Sequence, residues 1–348
     1  MSHATHERVS ALRALCVIAA VVIAGFAASA SAVTIDWVTV GNAGNAADTT
    51  GFGAVGYEYN IATTEVTNAQ YAEFLNAVAA TDTNNLYNIN MAGNFGGISR
   101  TGSSGSYVYT AQAGRENNPV TYVSWYDAAR FSNWLTNGQG NGDTESGVYT
   151  LTGPTTISGI TRDLNNPNQV FIPTEDEWYK SAYHDASAGT AGDYFLYAMG
   201  TDDVPYSDNP TSLNTPDDTN VANFGKDDST ANGYDDGYAV SGSASYPNST
   251  NPFTDVGAYT DADSPYGTFD QNGNVWEWNE TPTGSSRGFR GGSWFIGEVV
   301  LRSSFRNFNN PTLENNIIGF RVASPIPEPA SAILLTLGAP LMLRRRRG

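Results

Sequence analysis

Asn272-Gly273-Asn274-Val275-Trp276-Glu277-Trp278 decides how this chain folds. Gly273 between two asparagines marks a turn, because both residue types tolerate the backbone conformations that turns require. Asp270 stands just before the stretch and Glu277 lies inside it. Calcium takes about six to eight hard oxygens, from carboxylates and carbonyls together. A glycine-rich turn between two acids aims carbonyls inward, so Asp270 through Glu277 reads as a cation site. The plainer reading has Glu277 bonded to backbone N–H groups in a buried turn. Trp276 and Trp278 are large rigid anchors, suited to a chain whose short elements cannot build a layered core.

Outward from this stretch, further phrases fall in a fixed order. Thr64-Glu65-Val66-Thr67-Asn68-Ala69-Gln70-Tyr71, Asn118-Pro119-Val120-Thr121-Tyr122-Val123-Ser124-Trp125-Tyr126-Asp127-Ala128 and Pro173-Thr174-Glu175-Asp176-Glu177-Trp178 precede it. Arg290-Gly291-Gly292-Ser293-Trp294 and Gly319-Phe320-Arg321 follow it. The series resembles the sulfatase-modifying-factor family, whose founding member is the formylglycine-generating enzyme. The resemblance covers roughly residues 35–323. It implies one mixed α+β domain of the formylglycine-generating-enzyme, C-type-lectin-like type, low in regular secondary structure. Gly291-Gly292 suits a backbone too crowded for a Cβ. Arg321 is placed to tie loops together by charge-assisted bonds to carboxylates or carbonyls.

The residues between the phrases agree with such a fold. Helices are expected over 67–79, 124–136 and 174–183, capped by Thr67, Ser124 and Thr174. Thr174 and Glu177 form a capping box. Strand-like runs cover 33–40, 57–63, 148–151, 169–172 and 319–322. Residues 202–263 are acidic and aperiodic, but Tyr206, Phe224, Tyr234, Tyr238, Tyr246, Phe253 and Tyr259 are too many aromatics for a solvated linker. Ordered loops are expected there.

Carried over position by position, the resemblance implies two structural calcium sites. One uses the side chains of Asp270 and Glu277 and the carbonyls of Gly273 and Val275. The other uses Asn223, the carbonyl of Phe224, Asp236 and the carbonyl of Tyr238, with a solvated acidic loop as the alternative. The family's oxidase also binds copper(I) through two cysteines after the Gly-Gly-Ser phrase, and thiolate is the soft ligand copper(I) prefers. Those positions read Ile296 and Leu301 here. No copper is expected and no catalytic residue is assigned. Iron-dependent relatives that join sulfur to histidine derivatives need a His-rich site, and His184 stands alone in the body. It reads as a satisfied surface group beside Tyr183.

Composition bounds the rest. The 348 residues include 17 Lys and Arg, 35 Asp and Glu, one Cys and three His, for a net charge of −18. Residues 1–32 combine Arg8 and Arg13, an apolar run over 15–28 and Ala30-Ser31-Ala32, which reads as a secretory signal peptide. Cys16 leaves with it. Residues 325–348 combine Pro327-Glu328-Pro329, a short apolar run and Arg344-Arg345-Arg346-Arg347, and resemble a PEP-CTERM sorting signal. That resemblance implies handling by exosortase-type sorting machinery, transient anchoring in the inner membrane, and delivery to the cell surface or extracellular matrix of a Gram-negative bacterium. These ends hold six of the 17 basic and two of the 35 acidic residues. The remaining 33–324 body keeps 11 and 33, a net of −22. Such an acid excess excludes a nucleic-acid partner, which needs clustered Lys and Arg.

The expected function is an exported, calcium-stabilised module of this family without the cysteine pair. It is expected to be non-catalytic, binding an extracellular polysaccharide or a surface protein. Exposed aromatics such as Tyr206, Tyr246 and Tyr259 suit stacking on sugar rings, although burial is the commoner fate of each. The alternatives are a formylglycine-generating oxidase acting on sulfatases, or an unrecognised hydrolase on the same fold.

Overall fold

The computed structural model describes residues 32–327. Nearly all of the signal-peptide reading and the Glu328–Gly348 part of the sorting-signal reading lie outside those residues. Among the described residues no helix is long and apolar enough to cross a membrane.

Three helices form where polar caps precede apolar-faced runs. They are α1 (Asn68–Val78), α2 (Trp125–Thr136) and α3 (Glu175–Tyr183). Each begins at the expected cap, and all three carry reciprocal capping boxes: Thr67 with Gln70, Ser124 with Asp127, and Thr174 with Glu177. Each box satisfies two backbone N–H groups that the first helical turn leaves unpaired.

The stretch around Trp276 opens the strand Trp276–Thr283, which turns back as Ser286–Arg290. The hairpin is antiparallel, with a register break between Trp278 and Pro282. Asn307–Asn309 flanks the second strand, and Ile318–Gly319 runs parallel to the first. Residues 276–279 are buried on both faces, so apolar-polar alternation never marks this strand in the sequence. Trp276 and Trp278 both pack edge-on against Phe289, with centroids 5.3 Å away. The Trp278 indole donates to the Val123 carbonyl, and the Trp125 indole donates to the Asn279 carbonyl. These two bonds fix the start of α2 to the hairpin. Phe131 of α2 meets Phe74 of α1 at 5.4 Å and Phe320 at 5.5 Å.

A second sheet joins the two ends of the domain. Trp37–Val40 pairs with Tyr59–Ala62, which pairs in turn with Ala323–Pro325. Pro325 therefore belongs to a strand, one residue past the boundary expected at 324. The run 169–172 contributes one bridge, Phe171 to Ala323, and not a strand. Pro167 and Pro173 bracket it, and proline cannot donate to a ladder. The segment 202–263 packs as ordered loops stapled by short strands, Tyr206–Ser207 with Val221–Ala222 and Gly225–Asp227 with Asp236–Tyr238. Phe224, Phe253 and Tyr259 are buried there, while Tyr246 is 40% exposed.

The architecture of the described residues is thus mixed α+β, with three short α-helices and many short strands. Gly291 and Gly292 sit at φ +98° and +79°, in the left-handed region. A Cβ on Gly292 would stand 2.5 Å from the Leu301 Cδ2 atom. Gly292→Ala is expected to cost about 1–3 kcal/mol through crowding and backbone strain. Its urea midpoint should fall accordingly, and an unchanged midpoint would contradict the crowding.

Candidate functional site

The buried centre is a group of carboxyls around one guanidinium. Glu277 lies in the hairpin strand with no exposed surface, and Arg321 lies opposite, equally buried. Arg321 Nε donates to Glu277 Oε2 at 2.6 Å, and Nη2 donates to Oε1 at 2.7 Å. Its other donors go to the carbonyls of Ala62, Thr63 and Phe269. Glu277 Oε2 also accepts from the Trp178 indole at 2.8 Å. Glu277 thus bonds a guanidinium and an indole, and not the backbone N–H groups of the plainer reading.

Asp270 closes the same region from a left-handed position, φ 62°. Its Oδ2 accepts from the Gly257 N–H at 2.6 Å. Glu65, which sequence reasoning quoted in a motif but gave no role, is the third acid. Its Oε1 accepts from Asn274 Nδ2 at 3.3 Å, and its Oε2 is buried without a partner. Burial pushes the Glu65 carboxyl well above its ordinary pKa, and the charges of Asp270 and Glu277 add to that. Burial likewise pushes Asp270 up to about 6. Three acids facing one arginine leave the pocket short of positive charge when all are ionised. Gly273 sits at the turn with φ +93°, where any side chain would collide with the Asn223 carbonyl.

An orphaned carboxylate oxygen and a hard-oxygen donor set fit a cation of the calcium type. Among the described residues, no three Asp, Glu, His or Cys side chains form a metal cluster by themselves. A cation there would therefore also draw on backbone carbonyls. Three hydrogen bonds already engage Glu277, which leaves Asp270 and Glu65 as the better donors.

The second set is brought together only in part. Gly225 pairs with Tyr238, so the Phe224 and Tyr238 backbones are neighbours. The Asn223 amide donates instead to the Pro252 carbonyl and to Asn274. The Phe224 carbonyl accepts from Ser207 Oγ at 2.6 Å. Asp236 caps the Gly233 N–H at the surface, and the Tyr238 carbonyl accepts from the Gly242 N–H. The buried acid of this region is Asp235, which pairs with Lys226 Nζ at 2.8 Å and accepts from the Ser207 N–H. A lysine ammonium already supplies positive charge there. The sequence signal was the Asp235-Asp236 doublet, whose inward member only packing decides.

The positions where the family's oxidase carries copper ligands are apolar. Leu301 is fully buried against Tyr197, Ala222 and Phe224. Ile296 is half-buried, and its carbonyl accepts from the Gly225 N–H at 3.2 Å. These residues do not fit copper. His184 is buried and not a surface group as its sequence suggested. Nδ1 bonds the Tyr266 hydroxyl at 2.8 Å, and Nε2 bonds the Ala191 carbonyl at 3.0 Å. Burial lowers its pKa. With both nitrogens engaged, it is neither a free base nor a metal ligand.

The hercynine oxygenase of Mycolicibacterium smegmatis is 33% identical over 92 residues, which is 20% of this chain and 22% of that protein. The matching enzyme of Mycobacterium tuberculosis is 33% identical over 88 residues, 20% of this chain and 21% of that protein. The chain thus aligns with about a fifth of the length of these curated relatives. Among solved structures, CarF superposes with a TM-score of 0.49 at 22% identity, covering 84% of this chain and 99% of CarF. Treponema denticola variable protein 1 superposes with a TM-score of 0.47 at 18% identity, covering 86% and 98%. The sulfatase-modifying factor enzyme 1-like domain matches residues 39–326. That match runs through every phrase from Glu65 to Arg321, and the chain belongs to the sulfatase-modifying factor enzyme 1-like domain family.

Proposed function

We propose that this chain is an exported, calcium-stabilised member of the family that binds or builds at the cell surface or matrix and catalyses no oxidation. The observation that carries the reading is the apolar packing of Ile296 against the main core and of Leu301 in its own cluster, in a chain whose one cysteine is Cys16. Copper(I) needs soft ligands, and the cluster around Leu301 offers a single thioether, Met199, and no thiolate. Calcium would be held by Asp270 and Glu65 with the Gly273 and Val275 carbonyls, where it would offset the acid excess. Export rests on the composition of residues 1–32, and surface delivery on the sequence pattern of residues 325–348.

The test pairs chemistry with location. The purified full chain is loaded with copper(I) and given a Cys-x-Pro-x-Arg peptide. Neither stoichiometric copper binding nor aldehyde formation is expected, and turnover of the peptide would refute the reading. Fractionation of the producing bacterium should place the chain outside the cytoplasm with the tail removed. Full-length chain confined to the cytoplasm would refute the export half.

A further inference from the structure

A cluster of aromatic rings reaches the surface beside the second acid region. Phe295 is 43% exposed and Tyr246 is 40% exposed. Phe295 stacks on Tyr238 with ring planes 9° apart and centroids 6.2 Å apart. Tyr246 meets Phe295 edge-on at 5.6 Å and 82°. Buried Trp294 stands behind both, with centroids 5.4 Å from Phe295 and 5.9 Å from Tyr246. The rings are therefore held from below and keep their orientation without a ligand.

An open hollow of about 230 Å³ is lined by Phe295, Tyr238, Gly225, Gly237, Lys226 and Asp227. A Cβ on Gly225 would stand 3.5 Å from the Tyr238 ring, and so would narrow the hollow. Its lining divides into two aromatic rings and two charged side chains. That division matches a pyranose ring, which has an apolar C–H face and an edge of hydroxyls. The charge pattern narrows the class. The Lys226 ammonium is committed to Asp235 and to the Pro205 carbonyl, so it is not offered to an anion. Asp227 is exposed at the rim, on a body with a net charge of −22. Acidic sugars meet repulsion there, while neutral hydroxyls find a carboxylate acceptor.

We propose that this hollow binds one ring of a neutral glycan, with Phe295 and Tyr238 as the stacking surfaces and Asp227 as a hydroxyl acceptor. The inference deepens the surface-module reading and rests on it. The full chain is screened on an array of cello-, xylo- and chito-oligosaccharides beside uronate oligosaccharides, and the best neutral binder is then titrated by calorimetry. Binding to a neutral series is expected. Phe295→Ala should weaken it by about tenfold or more while the variant stays folded at the assay temperature, which its melting curve checks. No neutral binding, a preference for uronates, or wild-type affinity in both Phe295→Ala and Tyr238→Ala would each overturn it. A chain that binds no glycan and also leaves the Cys-x-Pro-x-Arg peptide untouched sinks only this inference. Peptide turnover sinks the module reading itself.

Discussion

Arg321→Ala is expected to cost about 3–5 kcal/mol, a large share of the roughly 5–15 kcal/mol that holds such a domain folded. Arg321 has no exposed surface, and it joins Glu277 of the hairpin to the carbonyls of Ala62, Thr63 and Phe269. Removing it leaves a buried carboxylate without its counter-charge and several carbonyls without donors. Arg321→Lys should also be costly, since an ammonium cannot reproduce the two-pronged bond to Glu277. Glu277→Gln should be milder, because the Trp178 indole keeps an acceptor. Urea unfolding monitored by tryptophan fluorescence measures all three. A loss below about 1 kcal/mol for Arg321→Ala would show that the pair is dispensable.

Calcium removal is expected to have the next largest effect, and to depend on pH. Glu65 and Asp270 are both raised above their unfolded values, so the folded protein holds protons that the unfolded chain releases. Without a cation, the stability from those protons is fully present below about pH 4 and is lost as pH rises through about 6 for Asp270. On the proposed reading calcium would bind the ionised forms, so its benefit should appear as the protonated state disappears. The melting temperature in calcium minus that in chelator should be near zero at acid pH and should reach several degrees at neutral pH. Saturation at about a hundredfold over Kd adds about 2.7 kcal/mol, and each kcal/mol moves the midpoint by about 2–4 °C. Glu65→Gln and Asp270→Asn should shrink the neutral-pH difference and flatten the acid-side slope. A calcium response of equal size at both pH values, or one untouched by either substitution, would remove calcium from this pocket.

Local chemistry made much of the fold legible. Thr67, Ser124 and Thr174 started their helices as read, because a cap acts within one turn and needs no distant partner. The hairpin from Trp276 to Arg290 was not legible as strands. Glu277 and Asn279 are buried between Trp276 and Trp278, so no alternation betrays the pleat. Asn279 carries a cost for this: its amide is buried without a side-chain partner.

The site divides in the same way. Ile296 and Leu301 were apolar on the page and are apolar in the fold, so the misfit to copper needed no coordinates. Asp270 was named from the turn beside it. Glu65 could not be, because it stands more than two hundred positions away in the chain and reaches Asp270 only when the first and last phrases close on each other. The same closure hands Glu277 to Arg321, contacts with Tyr266 and Ala191 take His184 off the surface, and bonds to Lys226 and Ser207 select Asp235 over Asp236. Residue types, order and caps were determined by the sequence itself, since each acts on its own neighbours. Which acids share a pocket, and which of them keeps its counter-charge, was decided only by the tertiary structure. Burial there removes water as the alternative partner, and the few charges that remain must answer one another.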